Sequence, residues 1–191
     1  MIHRNPLHPR LTDLRPWQHT AAAAAAVAVL LVVNAVLEAL YARSMFPVPF
    51  AEGQTTFDGQ RLKRYYAVML DAGTLDVYWF TQLFDVVFMA AVAVAAFAIG
   101  SRLLRANADH PRTQTVISVA TTAVVGSAAF DAVENLLSFT MLVQPRSFPE
   151  WLALPYSTAA VAKFALAGIG WTTMAAALAL TVVRWALGHR R

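Results

Sequence analysis

The sequence predicts an all-α integral membrane protein: a four-transmembrane-helix bundle with a short extracytoplasmic helix between helices 1 and 2. Three observations predict it. Hydrophobic residues fill 58% of the 191 positions and charged residues only 14%, against about 25% charged in an ordinary soluble domain. The apolar residues fall in four long blocks rather than short periodic runs, so lipid is the solvent they suit. The segments between the blocks are short and carry most of the prolines and arginines. They leave no room for a second domain, and residues 1–191 are read as one membrane domain with helices at about 17–42, 76–100, 113–143 and 153–187.

The first block follows a polar stretch containing Arg4, Arg10 and Arg15. Positive charge before a run of alanines resembles a signal-peptide core. The block is too long for one, Asn34 and Glu38 interrupt it, and Leu40 stands where a cleavage site near Ala42 wants a small residue. It is therefore read as a retained helix. In the long loop that follows, Pro47 and Pro49 forbid simple continuation of the helix. A short helix is expected over 59–70, where Leu62, Tyr65, Tyr66 and Met69 oppose Arg61, Lys63 and Arg64, a pattern suited to a membrane surface. Gly73 ends it.

The second block opens on Tyr78, Trp79 and Phe80, which reads as an aromatic interfacial belt. A basic turn with Arg102, Arg105 and Arg112 leads to the third block, which is longer than a bilayer needs and is expected to tilt or protrude. A short loop with Pro145 and Pro149 precedes the fourth block, which ends in His189, Arg190 and Arg191.

Charge sets the expected orientation. The N-terminal stretch, the second loop and the C-terminal end carry nine of the arginines (4, 10, 15, 102, 105, 112, 184, 190 and 191). The first and third loops carry five basic residues, Arg43, Arg61, Lys63, Arg64 and Arg146. The excess places both termini in the cytoplasm of a multi-pass protein of the cell inner membrane. Heavy alanine and arginine use with little lysine is the composition of a GC-rich bacterial genome. The net charge of +4 is thereby absorbed by topology, and no nucleic-acid partner is expected. Having no cysteine, the chain excludes disulfides, thiolate metal sites and cysteine catalysis.

Seven strongly polar side chains interrupt the apolar blocks: Asn34, Glu38, Asp85, Asp131, Glu134, Asn135 and Lys163. Ionisable groups cost several kcal/mol at such depth, so they should face one another rather than lipid. Counted from the outer helix ends, all seven fall roughly 6–15 Å below the outer face. They also share faces: Asn34 with Glu38, Tyr78, Thr81 and Gln82 with Asp85, and Ser127, Asp131, Glu134, Asn135 and Ser138 in one stripe. Ala160, Lys163, Ala167 and Gly170 form a narrow face of small residues, which lets membrane helices approach closely. Four carboxylates and one ammonium would total −3 if all were ionised, so some acids stay protonated, reach water, or share a cation.

No histidine lies deep in a block, so zinc or iron is not expected, and only a hard, oxygen-held cation such as calcium or magnesium would suit. No phosphate-binding glycine loop, His-Glu-x-x-His motif or CDP-alcohol-transferase type aspartate pattern occurs, and Ser127 and Ser138 lack a histidine partner. No cofactor and no bound metal are expected.

The stretch Phe130-Asp131-Ala132-Val133-Glu134-Asn135-Leu136, followed by Pro155, Ser157-Thr158 and Lys163-Phe164, resembles a pattern in uncharacterised bacterial four-transmembrane-helix membrane proteins. In these a D-x-x-E-N helix is followed by a helix bearing one lysine. The segment from Asp71 to Tyr78, with Asp85 beyond it, is similar to their entry into the second helix. The resemblance implies no activity, but it singles out Asp85, Asp131, Glu134, Asn135 and Lys163.

Four roles compete. The polar cluster can be structural, fixing helix register. It can line a non-catalytic pocket for a membrane lipid, a small apolar ligand or a cation, which is the leading expectation. It can be the site of an enzyme acting on a lipid or isoprenoid, with Asp131 or Glu134 as general acid and Asp85 as base. It can serve a proton- or cation-coupled transporter, which with four helices requires a homo-oligomer. Cysteines introduced at positions 107 and 148 should label from opposite sides of intact cells, only the latter reacting with an impermeant reagent. The reverse labelling would invert the orientation.

Overall fold

The computed structural model describes residues 15–188. Arg4, Arg10, Arg190 and Arg191 of the charge count, with His3, His8 and His189, lie outside the described residues. The described chain is helical, with no strand: α1 (Pro16–Arg43), α2 (Phe50–Gln54), α3 (Gly59–Asp71), α4 (Leu75–Ala106), α5 (Pro111–Val143), a 3-10 turn (Glu150–Leu152) and α6 (Ala153–Gly188). Four segments, containing α1, α4, α5 and α6, are long and apolar enough to cross a membrane.

Local chemistry sets the ends. Pro16 and Pro111 open α1 and α5, where a missing N–H costs nothing. Asp58 caps α3 by accepting the Arg61 N–H at 3.0 Å. Gly73, at φ +69°, makes the turn from α3 into α4.

Two features differ from expectation. Gly100 does not end α4, which continues through Arg102 and Arg105 to Ala106, so the basic turn shrinks to 107–110. In lipid the backbone gains by staying hydrogen-bonded to itself, and Gly100 serves instead as a close approach to the Thr121 side chain of α5. The long loop also contains a second helix, α2, that the sequence pattern did not announce.

The spans pack in chain order: α1 on α4, α4 on α5, and α5 on α6. α1 and α6 do not pack side by side, so the ring of four is open on one edge. α1 is the most peripheral, with 6% of its most apolar window buried against 28% for α4 and α5. The α5–α6 contact is the most extensive. A Cβ added to Gly170 would lie 2.8 Å from the Ala120 carbonyl oxygen.

One end of the bundle is capped. The apolar face of α3 does not lie on the membrane surface. Leu62, Tyr66 and Met69 are fully buried against Tyr41, Tyr78, Met141, Phe148, Leu152 and Tyr156. The correction has a simple cause: aromatic residues at the helix ends offer α3 a protein surface to bury its face against. Tyr78 accordingly belongs to this core rather than to a belt. Trp79 stacks on Phe139 with centroids 5.2 Å apart, and only Phe80 is exposed. Lys63 pairs with Glu150 at 3.0 Å, Arg146 with Asp71 at 3.0 Å, and the Phe57 N–H donates to Ser157 Oγ at 3.0 Å, tying the cap to the segment before α6 and to the first turns of α6. Toward the other end a smaller hydrophobic cluster packs Ala96, Leu103, Ile117, Ala120, Val124, Met174 and Ala177.

Asn107 and Phe148 are buried at 1% and 2% exposure. The labelling cysteines therefore belong at Ala108 and Ser147, exposed neighbours in the same two loops.

Candidate functional site

Between the capped end and the apolar core lies the polar cluster. The stripe on α5 is buried throughout, from Ser127 to Ser138, and so are Thr81, Gln82 and Asp85 of α4. Asp131 and Glu134 are three residues apart on a helix and therefore neighbours on one face. A single lysine on α6 reaches both. Lys163 Nζ donates to Asp131 Oδ1 at 2.7 Å and lies 2.6 Å from Glu134 Oε2. The second contact is an ion pair by distance but lies off the hydrogen-bonding direction, so Glu134 counts as charge-paired rather than hydrogen-bonded.

Across the other interface, Asn135 Nδ2 donates to Asp85 Oδ2 at 2.7 Å and Gln82 Nε2 donates to Ser138 Oγ at 2.5 Å. The ion pairs thus join α5 to α6, and the amides join α5 to α4. Asp85, Asp131, Glu134 and Lys163 would sum to −2 if all were ionised, so the cluster has to take up protons or a cation to stay in a low-dielectric setting.

Sequence reading missed Phe50. Its ring lies 5.4 Å from Lys163 Nζ, and Phe164 lies 5.1 Å from it, so the ammonium also meets two aromatic rings. α2 places Phe50 there. The available signal was Pro49 directly before Phe50, with Glu52 in the first turn, a short helix-start pattern.

A cavity of about 270 Å³ opens beside the cluster, bordered by all four long helices and by Phe50. Asn34, Glu38, Asp85, Ser127, Asp131 and Lys163 form its polar wall, and Phe88, Met89, Val92, Phe164 and Trp171 its apolar one. Of the seven residues singled out above, five line it. Glu134 and Asn135 stand behind the wall, contacting Lys163 and Asp85. Asn34 is half-buried, and Glu38 is exposed with no ion pair among the described residues.

Several buried atoms near the cluster have no hydrogen-bond partner among the described residues: Glu134 Oε1, Asn135 Oδ1, Gln82 Oε1 and the Tyr66 hydroxyl. Burial pushes the Tyr66 phenol above its ordinary range, and nearby Ser138 opposes the shift only in part without meeting hydrogen-bond geometry. No three described His, Asp or Glu side chains gather as metal ligands. No family model, curated protein or solved structure matches the chain.

That geometry predicts non-additive substitutions. Asp131→Asn and Glu134→Gln each leave Lys163 one carboxylate and should each cost no more than about 1 kcal/mol. The double variant leaves a buried ammonium unpaired and should cost about 3–5 kcal/mol, more than the sum. Thermal melts in detergent measure all three. A strictly additive double variant would contradict a lysine shared between two acids.

Proposed function

We propose that this chain is a non-catalytic, multi-pass protein of the cell inner membrane that binds a small amphiphile, a lipid or lipid-like molecule, in the cavity beside Lys163. Both termini lie in the cytoplasm and the capped end faces outward, following the arginine distribution. One observation carries the reading. The cavity sits where α1 and α6 line a common space without packing together, so its mouth is toward the bilayer. A ligand can enter sideways from lipid. One wall is polar and the other apolar, which suits a molecule with a polar end and an apolar body. At about 270 Å³ the space is near the low end of ligand pockets and suits a headgroup or short chain rather than a whole phospholipid.

The competing roles fit less well. A purely structural cluster would pair every buried polar atom and leave no cavity, whereas unpaired atoms and a cavity coexist here. A transport route needs polar groups continuing inward from the cluster, where Ala96, Ile117, Ala120, Val124 and Met174 pack a hydrophobic layer. An enzyme acting on a lipid or isoprenoid is the second reading. It is favoured by two carboxylates on one cavity wall in unlike settings, Asp85 accepting from an amide and Asp131 from an ammonium. Asp85 would then be the base, with Asp131 or Glu134 the acid.

Native mass spectrometry of the protein in lipid nanodiscs tests the proposal. Wild type should retain a small amphiphilic adduct. Ala167→Phe, which fills the cavity from its α6 wall, should lose it while the melting temperature stays within a few degrees. An adduct that changes mass with time, and stops doing so in Asp85→Asn, would favour the enzyme. No adduct in wild type, or an equal one in Ala167→Phe, would overturn the proposal.

A further inference from the structure

At the end of the bundle opposite the acidic cluster, we infer that Arg102 and Arg184 build a site for the phosphodiester headgroup of an acidic phospholipid. A hollow of about 780 Å³ lies there between α1, α4 and α6, with Thr20, Arg102, Asn107, His110, Arg184 and Trp185 on its walls. Both guanidiniums are half-buried and held in place by neutral groups. Arg102 Nε donates to Thr20 Oγ1 at 2.9 Å. Arg184 Nη1 donates to Asn107 Oδ1 and Thr113 Oγ1, each at 3.2 Å. Asn107 is itself fixed, its Nδ2 donating to the Leu103 carbonyl at 2.9 Å and to Thr181 Oγ1 at 2.8 Å.

Neither arginine has a carboxylate within ion-pair distance among the described residues. Arg61, Lys63, Arg146 and Lys163 all do. Asp109, the acid of the adjoining loop, is exposed and makes no ion pair with a described residue. Two positioned cations with no counter-charge among the described residues, each with further N–H donors in a fork that matches phosphate oxygens, suit an anion.

Location names the source of the anion. Thr20 is near the start of α1, and Arg102 and Arg184 are near the ends of α4 and α6. Helices of 32 and 36 residues run about 48–54 Å, well beyond a hydrocarbon layer of about 30 Å. Their ends therefore reach the headgroup layer, where Trp185 is an interface residue. Leu178 and Val182 continue the same wall toward the membrane interior, giving an acyl chain a surface below its phosphate. Basic pockets between membrane helices bind acidic lipid headgroups on these terms. The site is independent of the cavity beside Lys163.

Melting of the detergent-purified full chain, titrated separately with palmitoyl-oleoyl phosphatidylglycerol, with phosphatidylcholine of the same tails and with inorganic phosphate, tests the inference. Phosphatidylglycerol should raise the melting temperature, and the other two should not at matched concentration. Arg102→Gln should weaken the apparent phosphatidylglycerol affinity by about fivefold. Arg102→Gln with Arg184→Lys should weaken it further, and Arg61→Gln at the capped end should leave it unchanged. Arg102 is held by a hydrogen bond to Thr20 rather than by the Asn107 network, so its variant tests the site even if changes at Arg184 impair folding. Equal shifts by both lipids, a full response in Arg102→Gln, or a shift reproduced by inorganic phosphate alone would overturn it.

Discussion

A lysine ammonium inside a bundle whose outer surface faces hydrocarbon has to be paired, and the helix arrangement around Lys163 follows from that demand. The nitrogen lies 2.7 Å from Asp131 and 2.6 Å from Glu134, which requires α6 to approach α5 closely along this face. Small residues permit it: Ala160 is fully buried and Gly170 leaves no room for a Cβ against Ala120. The same demand draws in α2, whose Phe50 covers the ammonium together with Phe164. Asp85 is then recruited from α4 through Asn135 rather than through the lysine. One buried charge therefore sets the relation of three spans and the placement of a loop helix.

α1 escapes this network, and the open edge follows. Its polar residues Asn34 and Glu38 border the cavity without bonding to the cluster, and among the spans it packs chiefly on α4. Its firmest tie lies at the capped end, where Tyr41 Oη donates to the Val48 carbonyl at 2.9 Å and the Tyr41 ring packs edge-on to Phe50. A helix anchored at one end and lightly packed along its length is the element best placed to move aside for a ligand. The two ends of the bundle also differ in charge. Acids gather under the aromatic cap, while Arg102 and Arg184, with no acidic partner among the described residues, stand at the opposite end.

The four spans were legible because hydrocarbon imposes long apolar blocks, and the meeting of the polar residues was legible because the same solvent forbids their dispersal. Asp131, Glu134 and Lys163 come together as their faces and depths required. What escaped sequence reading depended on tertiary partners. Gly100 looked like a terminator, yet its lack of a side chain serves the contact with Thr121. The apolar face of α3 looked ready for a membrane surface, yet the aromatic ends of the spans buried it. Glu38 pointed to the shared site by spacing but remains exposed, because the splay of α1 from α6 cannot be read from one helix. Arg102 and Arg184 served only as topology markers until Thr20, Asn107 and Thr113 were seen to hold them.

The central claim is that Lys163 is a charged ammonium bound to two carboxylates inside the membrane. The chain has only two lysines, Lys63 and Lys163, so a Lys63→Arg protein labelled with 15N-lysine gives one side-chain signal. In lipid bilayers at neutral pH that signal should be an ammonium in slow exchange with water, and it should shift in both Asp131→Asn and Glu134→Gln. A neutral amine, or an ammonium in fast exchange that neither substitution disturbs, would contradict the account.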